Sequence, residues 1–195
     1  MELLYEESAQ TIDYISAKRK FNIVKAFSVI SYVIAAIWLV IVWYFFDWNA
    51  GGGIVFNIIV AFLPPAIFIV GGILLGKYKN RFYVDYDYIF ISGTVQIAKI
   101  FNQSKRKEVL SFETREIEKI GMYASNTYEK YENFPGIVNS ILTSNSTPAD
   151  NKDFYYMVVN SQGYKYLLVF ECTETFIVNI LKFAKKNVLE QEFLK

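Results

Sequence analysis

The sequence predicts an α+β membrane protein, with an N-terminal transmembrane helical hairpin followed by an antiparallel β-sheet or barrel and a closing C-terminal amphipathic helix. Three observations predict it. Two long uncharged runs precede Lys77, apolar residues alternate with period two from Phe82 to Glu171, and a helical period follows Thr175.

The opening segment, residues 1–25, is assigned to the cytoplasm. Leu3, Leu4, Ile12 and Ile15 stand among acids, so Met1–Lys20 reads as a short interfacial or domain-docking helix, or equally as a frayed tail. Ala26–Phe46 then gives twenty-one consecutive residues without a charge, and Gly51–Gly76 is a second uncharged, mostly apolar run. A bilayer core about 30 Å thick needs about 20 helical residues, so spans are assigned at 26–46 and 52–76. A cleaved signal peptide is disfavoured. The first run is too long for an h-region, starts late, and lacks a small-x-small site.

Orientation follows from the basic residues. Lys18, Arg19, Lys20 and Lys25 precede the first span, and Lys77, Lys79 and Arg81 follow the second. The connecting turn has no basic residue and one acid, Asp47. Lys and Arg resist translocation, which places both termini in the cytoplasm and the turn outside. Trp43, Tyr44 and Trp48 cluster at the outer end, where amphipathic rings favour headgroups.

Pro64-Pro65 lies near the middle of the second span and is expected to kink it, either as a packing feature or as a gate. Gly72 and Gly76 form a GxxxG that suits close helix packing, within the hairpin or between copies. Neither span holds an ionisable residue, which argues against an ion or proton pathway. The spans read as an anchor.

The remaining chain is long enough for one small domain with its own core. Net charge is +1, which excludes a strongly basic nucleic-acid binder. No histidine is present, which removes the commonest general base and metal ligand. The one cysteine, Cys172, has no internal disulfide partner and suits a reducing compartment. It is read as a structural thiol rather than a nucleophile. No catalytic motif, cofactor motif or metal-ligand set is present, so the expectation is a non-enzymatic binding or scaffold protein.

Phe82, Val84, Tyr86, Tyr88 and Phe90 alternate with Tyr83, Asp85, Asp87, Ile89 and Ile91, a strand with one largely apolar face. Asp85 and Asp87 share a face and are expected to keep it soluble rather than bind a metal, since two carboxylates are few for a hard cation. Ser92-Gly93 turns the chain into Thr94–Phe101, a hairpin signal. Asn102–Arg106 is a basic turn, Lys107–Phe112 a third strand, Glu113–Glu116 a helical turn and Ile117–Tyr123 a fourth strand. Ala124–Asn151 is rich in Ser, Asn, Thr and Tyr and reads as a long loop with a short helix at Ile137–Leu142. Asp153–Asn160 and Tyr164–Glu171 form a second hairpin around Ser161-Gln162-Gly163. Phe176, Ile177, Ile180, Leu181, Ala184, Val188 and Leu189 then follow helical spacing, with Thr173 or Thr175 as cap and Lys182, Lys185 and Lys186 on the polar face or near the end.

Phe82–Phe112 (FYVDYDYIFISGTVQIAKIFNQSKRKEVLSF), the following ETREIEKI and the YLLVFE strand resemble a bacterial family of two-span membrane proteins with a C-terminal pleckstrin-homology-like (PH-like) domain. The sequence departs from that pattern in Ala124–Asn151 and at Cys172-Thr173. The resemblance implies a bacterial plasma-membrane protein with a cytoplasmic PH-like domain at 77–195, and no specific activity. Expected partners are the bilayer itself and a protein or a second copy. Lys77, Lys79 and Arg81 at the membrane exit, with Lys105, Arg106 and Lys107 at a hairpin tip, are expected to meet anionic headgroups. The alternative is an accessory subunit of a transport or envelope-remodelling complex acting through its hairpin.

Overall fold

The computed structural model describes residues 4–46, 53–185 and 187–190. Leu3, residues 47–52, where the sequence reading puts the connecting turn with Asp47 and Trp48, and Lys186 lie outside the described residues. Two compact units emerge, Asp13–Tyr83 and Met1–Ile12 with Val84–Lys195. They are cut elsewhere than at 25/26 and 76/77.

The helical unit comprises α1 (Tyr14–Phe45) and α2 (Ile54–Tyr78), the latter running into a 3-10 turn at Lys79–Arg81. Asp13 caps α1, its Oδ1 accepting from Ser16 N at 3.2 Å. Both helices are long and apolar enough to cross a membrane, and only 11% and 17% of their most apolar windows are buried. A core helix of a soluble protein would be mostly covered.

Small residues build the helix–helix contact. Ser28 and Ala35 are buried on α1, and Ala61, Pro65 and Gly72 on α2. Ser28 Oγ donates to the Gly72 carbonyl at 2.8 Å. A Cβ on Gly72 would lie 2.9 Å from the Tyr32 ring, and one on Gly76 would lie 3.4 Å from Ser28 Oγ. The GxxxG therefore faces the hairpin's own first helix.

Helix α2 continues through Pro64 and Pro65. The two prolines remove the amide donors three and four residues beyond Ala61, so its carbonyl has no helical partner. Trp38 Nε1 supplies one, at 2.9 Å. That favours a packing role for the prolines. Trp38→Phe should cost about 1–2 kcal/mol of hairpin stability, read as a lower thermal midpoint in micelles. Trp43→Phe should leave it unchanged, since Trp43 is exposed.

The second unit holds two four-stranded sheets. The first runs β1-β2-β3-β4 as an antiparallel meander, from β1 (Leu4–Ala9), β2 (Val84–Ile91), β3 (Thr94–Phe101) and β4 (Lys105–Glu113). The second contains β5 (Ile117–Met122), β6 (Ile137–Ile141), β7 (Asp153–Ser161) and β8 (Tyr164–Cys172), ordered β5-β7-β8-β6. Strand β6 runs parallel to β8, so this sheet is mixed. Short helices α3 (Asn126–Glu132) and α4 (Glu174–Leu181) complete the unit. Among the described residues the sheets do not join into a closed barrel. The capping-box turn Thr114–Glu116, with Glu113 N donating to Glu116 Oε2 at 2.9 Å, breaks the ladder between β4 and β5.

Alternation places Tyr86, Tyr88 and Phe90 of β2, Ile97 of β3, Tyr155 and Met157 of β7, and Leu168 and Phe170 of β8 in one core. Phe176, Ile177 and Ile180 of α4 join it. The opposite face of β7 and β8, with Tyr156, Val158, Leu167 and Val169, packs under Tyr128 of α3. The hairpins turn at Ser92-Gly93 and Gln162-Gly163, all with positive φ, as two-residue primed turns demand.

Four expectations need correction. The start of the chain is strand β1, paired with β2 from Leu4↔Ile91 to Ala9↔Tyr86, rather than an interfacial helix or a tail. The 124–151 stretch carries α3, whose N-cap Ser125 Oγ accepts from Tyr128 N at 3.2 Å. It also carries β6, where β-branched Ile137, Val138 and Ile141 favour a strand over a helix. Helix α4 ends at Leu181; Asn187 takes φ 74° and Val188–Glu190 return to β5. There Ile120 N donates to Val188 O at 2.8 Å and Glu190 N to Ile120 O at 2.9 Å. Finally, Asp85 and Asp87 are buried. Asp85 Oδ1 accepts from Thr11 N at 2.8 Å, and Asp87 Oδ1 accepts from Ser8 Oγ at 2.6 Å. They hold the chain's start against β2 rather than solubilise a face.

Candidate functional site

An open strand edge displays unpaired backbone donors and acceptors, so proteins usually guard it. Here the four outermost strands differ. Strand β4 exposes Lys105, Arg106 and Lys107. Strand β5 is bridged by Val188–Glu190. Strand β1 is tied across by Glu7, whose carboxylate accepts from Thr173 N and Oγ1, both at 2.9 Å, and pairs with Lys152 Nζ at 3.2 Å. Strand β6 carries no charged residue, and its contacts away from β8 are long: Ile137 N donates to Phe134 O at 3.4 Å, Asn139 Nδ2 to Glu132 O at 3.5 Å and the Tyr86 hydroxyl to Ile141 O at 3.5 Å. Its sequence is IVNSI, and Val138, Asn139 and Ile141 are exposed.

Beside the end of β6 lies a cleft of about 200 Å³, lined by Tyr123, Ile141, Thr143, Asn145, Ser146, Phe154 and Val169. The edge-to-face contact of Tyr123 and Phe154, at 5.9 Å, gives it an aromatic wall. The polar wall is fixed from below. Glu171 is fully buried and accepts from Thr143 Oγ1, from Asn145 Nδ2 at 2.7 and 3.0 Å, and from Ala149 N at 3.0 Å. Asn145 also donates to Gln10 O at 2.8 Å and accepts from Ile12 N at 2.9 Å. One carboxylate thus orders the connection from β6 to β7 that shapes the cleft. Small-molecule pockets usually measure about 300–1,000 Å³. This cleft fits a single side chain.

The expected contact residues fall in both units. Lys77, Lys79 and Arg81 end the helical unit, with Lys79 Nζ 5.5 Å above the Phe21 ring and the Arg81 guanidinium 5.6 Å from the Tyr78 ring. Lys105, Arg106 and Lys107 are all exposed on β4, with the Arg106 guanidinium 3.6 Å from Asp87 and 3.9 Å from Glu6. Pro64, Pro65, Gly72 and Gly76 lie on α2, as described. Cys172 is buried among Tyr88, Phe170 and Phe176 in the core. Burial, then the Glu7 carboxylate, pushes its thiol above the usual range and keeps it protonated. The cleft residues escaped the sequence reading because Ser, Thr and Asn so close together look like loop. Glu171 was hidden at the end of an apolar strand.

Burial also raises the phenols of Tyr88, Tyr128 and Tyr156, and lifts Tyr155 to about 12, where Asp153 adds to the effect. Each group holds its proton more tightly folded than unfolded. Their stabilisation is complete below the ordinary thiol and phenol values and is lost as pH rises through the folded ones. Unfolding midpoints should therefore be flat near neutrality and fall steadily above about pH 9–10. A midpoint unchanged up to pH 11.5 would contradict these burials.

A family model described as "Bacterial PH-like domain (DUF6106)" matches residues 15–190. No curated protein matches the chain, and no solved structure matches it.

Proposed function

We propose, from the premise that the chain belongs to the bacterial PH-like domain family DUF6106, that it is a membrane-anchored, non-enzymatic binding protein. Its hairpin crosses the bacterial plasma membrane with both termini cytoplasmic. Its sheet unit captures an extended segment of a protein partner along β6. The edge of β6 carries the reading, because an exposed, uncharged edge strand rich in β-branched residues suits strand addition. A partner side chain seats in the neighbouring cleft, over Val169 and between Ile141 and Phe154.

This reading is preferred for the sheet unit over docking on anionic headgroups. Arg106 is engaged by Glu6 and Asp87, and lysines on an edge strand serve as its guard. A function centred on the hairpin gains little support, since Gly72 and Trp38 make their contacts within it.

A photo-crosslinking residue at Val138, compared in cells with one at Lys105, tests the proposal. A discrete adduct at Val138 only, abolished by Ile141→Lys with the fold intact, is expected. Equal adducts at both positions, or an adduct indifferent to Ile141→Lys, would exclude β6 as the binding edge.

A further inference from the structure

The helical unit is strongly one-signed at one end. Lys18, Arg19, Lys20, Lys25, Lys77, Lys79 and Arg81 stand there, and Asp13 is the one acid among the unit's described residues, occupied as the cap of α1. Lys18 and Arg19 lie exposed in the second turn of α1, whose first turn has no acid.

Two surface grooves collect these cations. One, about 460 Å³, is lined by Leu74, Leu75, Lys77, Tyr78 and Arg81. The other, about 480 Å³, lies on α1 along Tyr14, Ile15, Lys18, Arg19, Asn22, Ile23 and Ala26. Each joins an aliphatic floor to two cations and a tyrosine. The hydrogen bonds Ser28–Gly72 and Trp38–Ala61 fix the antiparallel register of the hairpin. In that register Arg81 lies level with Arg19, and Leu74 with Ala26. Lys77 is then level with Ile23, so the first groove turns basic about one helical turn nearer the uncharged runs than the second, and the two share the cation level of Arg81 and Arg19. Arg81 is held beside its groove by the Tyr78 ring, which in turn meets Phe82 edge-on at 5.1 Å.

We infer that the two grooves are seats for anionic phospholipids, with an acyl chain along Leu74–Leu75 or Ile23–Ala26 and the phosphodiester between Lys77 and Arg81 or beside Lys18 and Arg19. The apolar floor continues the membrane-facing surface, and the cations complement the phosphate. The inference rests on the membrane reading of the hairpin and is independent of the peptide site on the other unit.

The test uses the full chain in detergent micelles, titrated with phosphatidylglycerol or phosphatidylcholine of identical chains and read by native mass spectrometry. Up to two phosphatidylglycerol molecules should be retained per chain, with at least tenfold preference over phosphatidylcholine. Soluble glycerol phosphate should not compete. Lys77→Gln/Arg81→Gln should remove one lipid and Lys18→Gln/Arg19→Gln the other, weakening binding about fivefold for each cation. Lys20→Gln/Lys25→Gln, equal in charge but outside both grooves, should retain both lipids. Equal retention of the two lipid classes, equal loss in the control pair, or competition by glycerol phosphate would overturn the inference. A chain that purifies without detergent would overturn the membrane reading, and the lipid seats with it.

Discussion

Replacing Glu171 with Ala should cost about 3–5 kcal/mol and disorder the connection that walls the cleft. The carboxylate is fully buried and satisfies Thr143 Oγ1, Asn145 Nδ2 and Ala149 N. Removing it leaves those donors without the acceptor that holds them together. Glu171→Gln should cost less but still more than 1 kcal/mol, because its amide presents hydrogens where Asn145 and Ala149 already donate. Equilibrium unfolding in micelles gives the magnitude, and proteolysis at Lys152 gives the location. Cleavage there should accelerate in both variants. Unchanged stability in Glu171→Ala would mean that the network does not organise this region.

Gly121→Ala should rank second. A Cβ at this position would overlap the Glu190 carboxylate and lie 2.7 Å from the Tyr156 ring. The Glu190 carboxyl can be pushed away, but it is buried and holds Ser125 Oγ at 3.2 Å, while Tyr156 is fixed in the packing under α3. Overpacking of this kind costs about 1–3 kcal/mol. It should also release Val188–Glu190 from β5, seen as faster amide exchange at Ile120. Adding Glu190→Ala to Gly121→Ala should recover part of the loss, with Tyr156 holding back the rest. Strict additivity of the two substitutions would contradict the contact.

These two sites show where sequence alone gives out. The hairpins around Ser92-Gly93 and Gln162-Gly163 are legible because alternation and turn chemistry are both local, and the bounds found for β3 match those read from the sequence. Strand β1 is not legible. It pairs with β2 across a seventy-residue helical insertion, and Leu4–Ala9 alone has too few apolar residues to declare a strand. The same separation misplaces Asp85 and Asp87. Period two sorts a strand's residues into two faces, but it cannot say that Ser8, Thr11 and Arg106 will cover the polar one. Helix α4 fails differently, since Ala184 and Val188 keep helical spacing while the backbone turns at Asn187. The candidate site sits in the stretch that reads as loop, because its order depends on Glu171, Gln10 and Ile12, all distant in sequence.

Labelling of single introduced cysteines by a membrane-impermeant maleimide tests most directly whether the hairpin crosses the membrane and keeps the sheet unit inside. Cys172 is buried and will not compete. Gly53→Cys, at the start of α2, should label in intact cells, and Gln162→Cys, in the β7–β8 turn, only after the membrane is opened. Labelling of Gln162→Cys in intact cells would place the sheet unit outside and remove the basis for a cytoplasmic binding role.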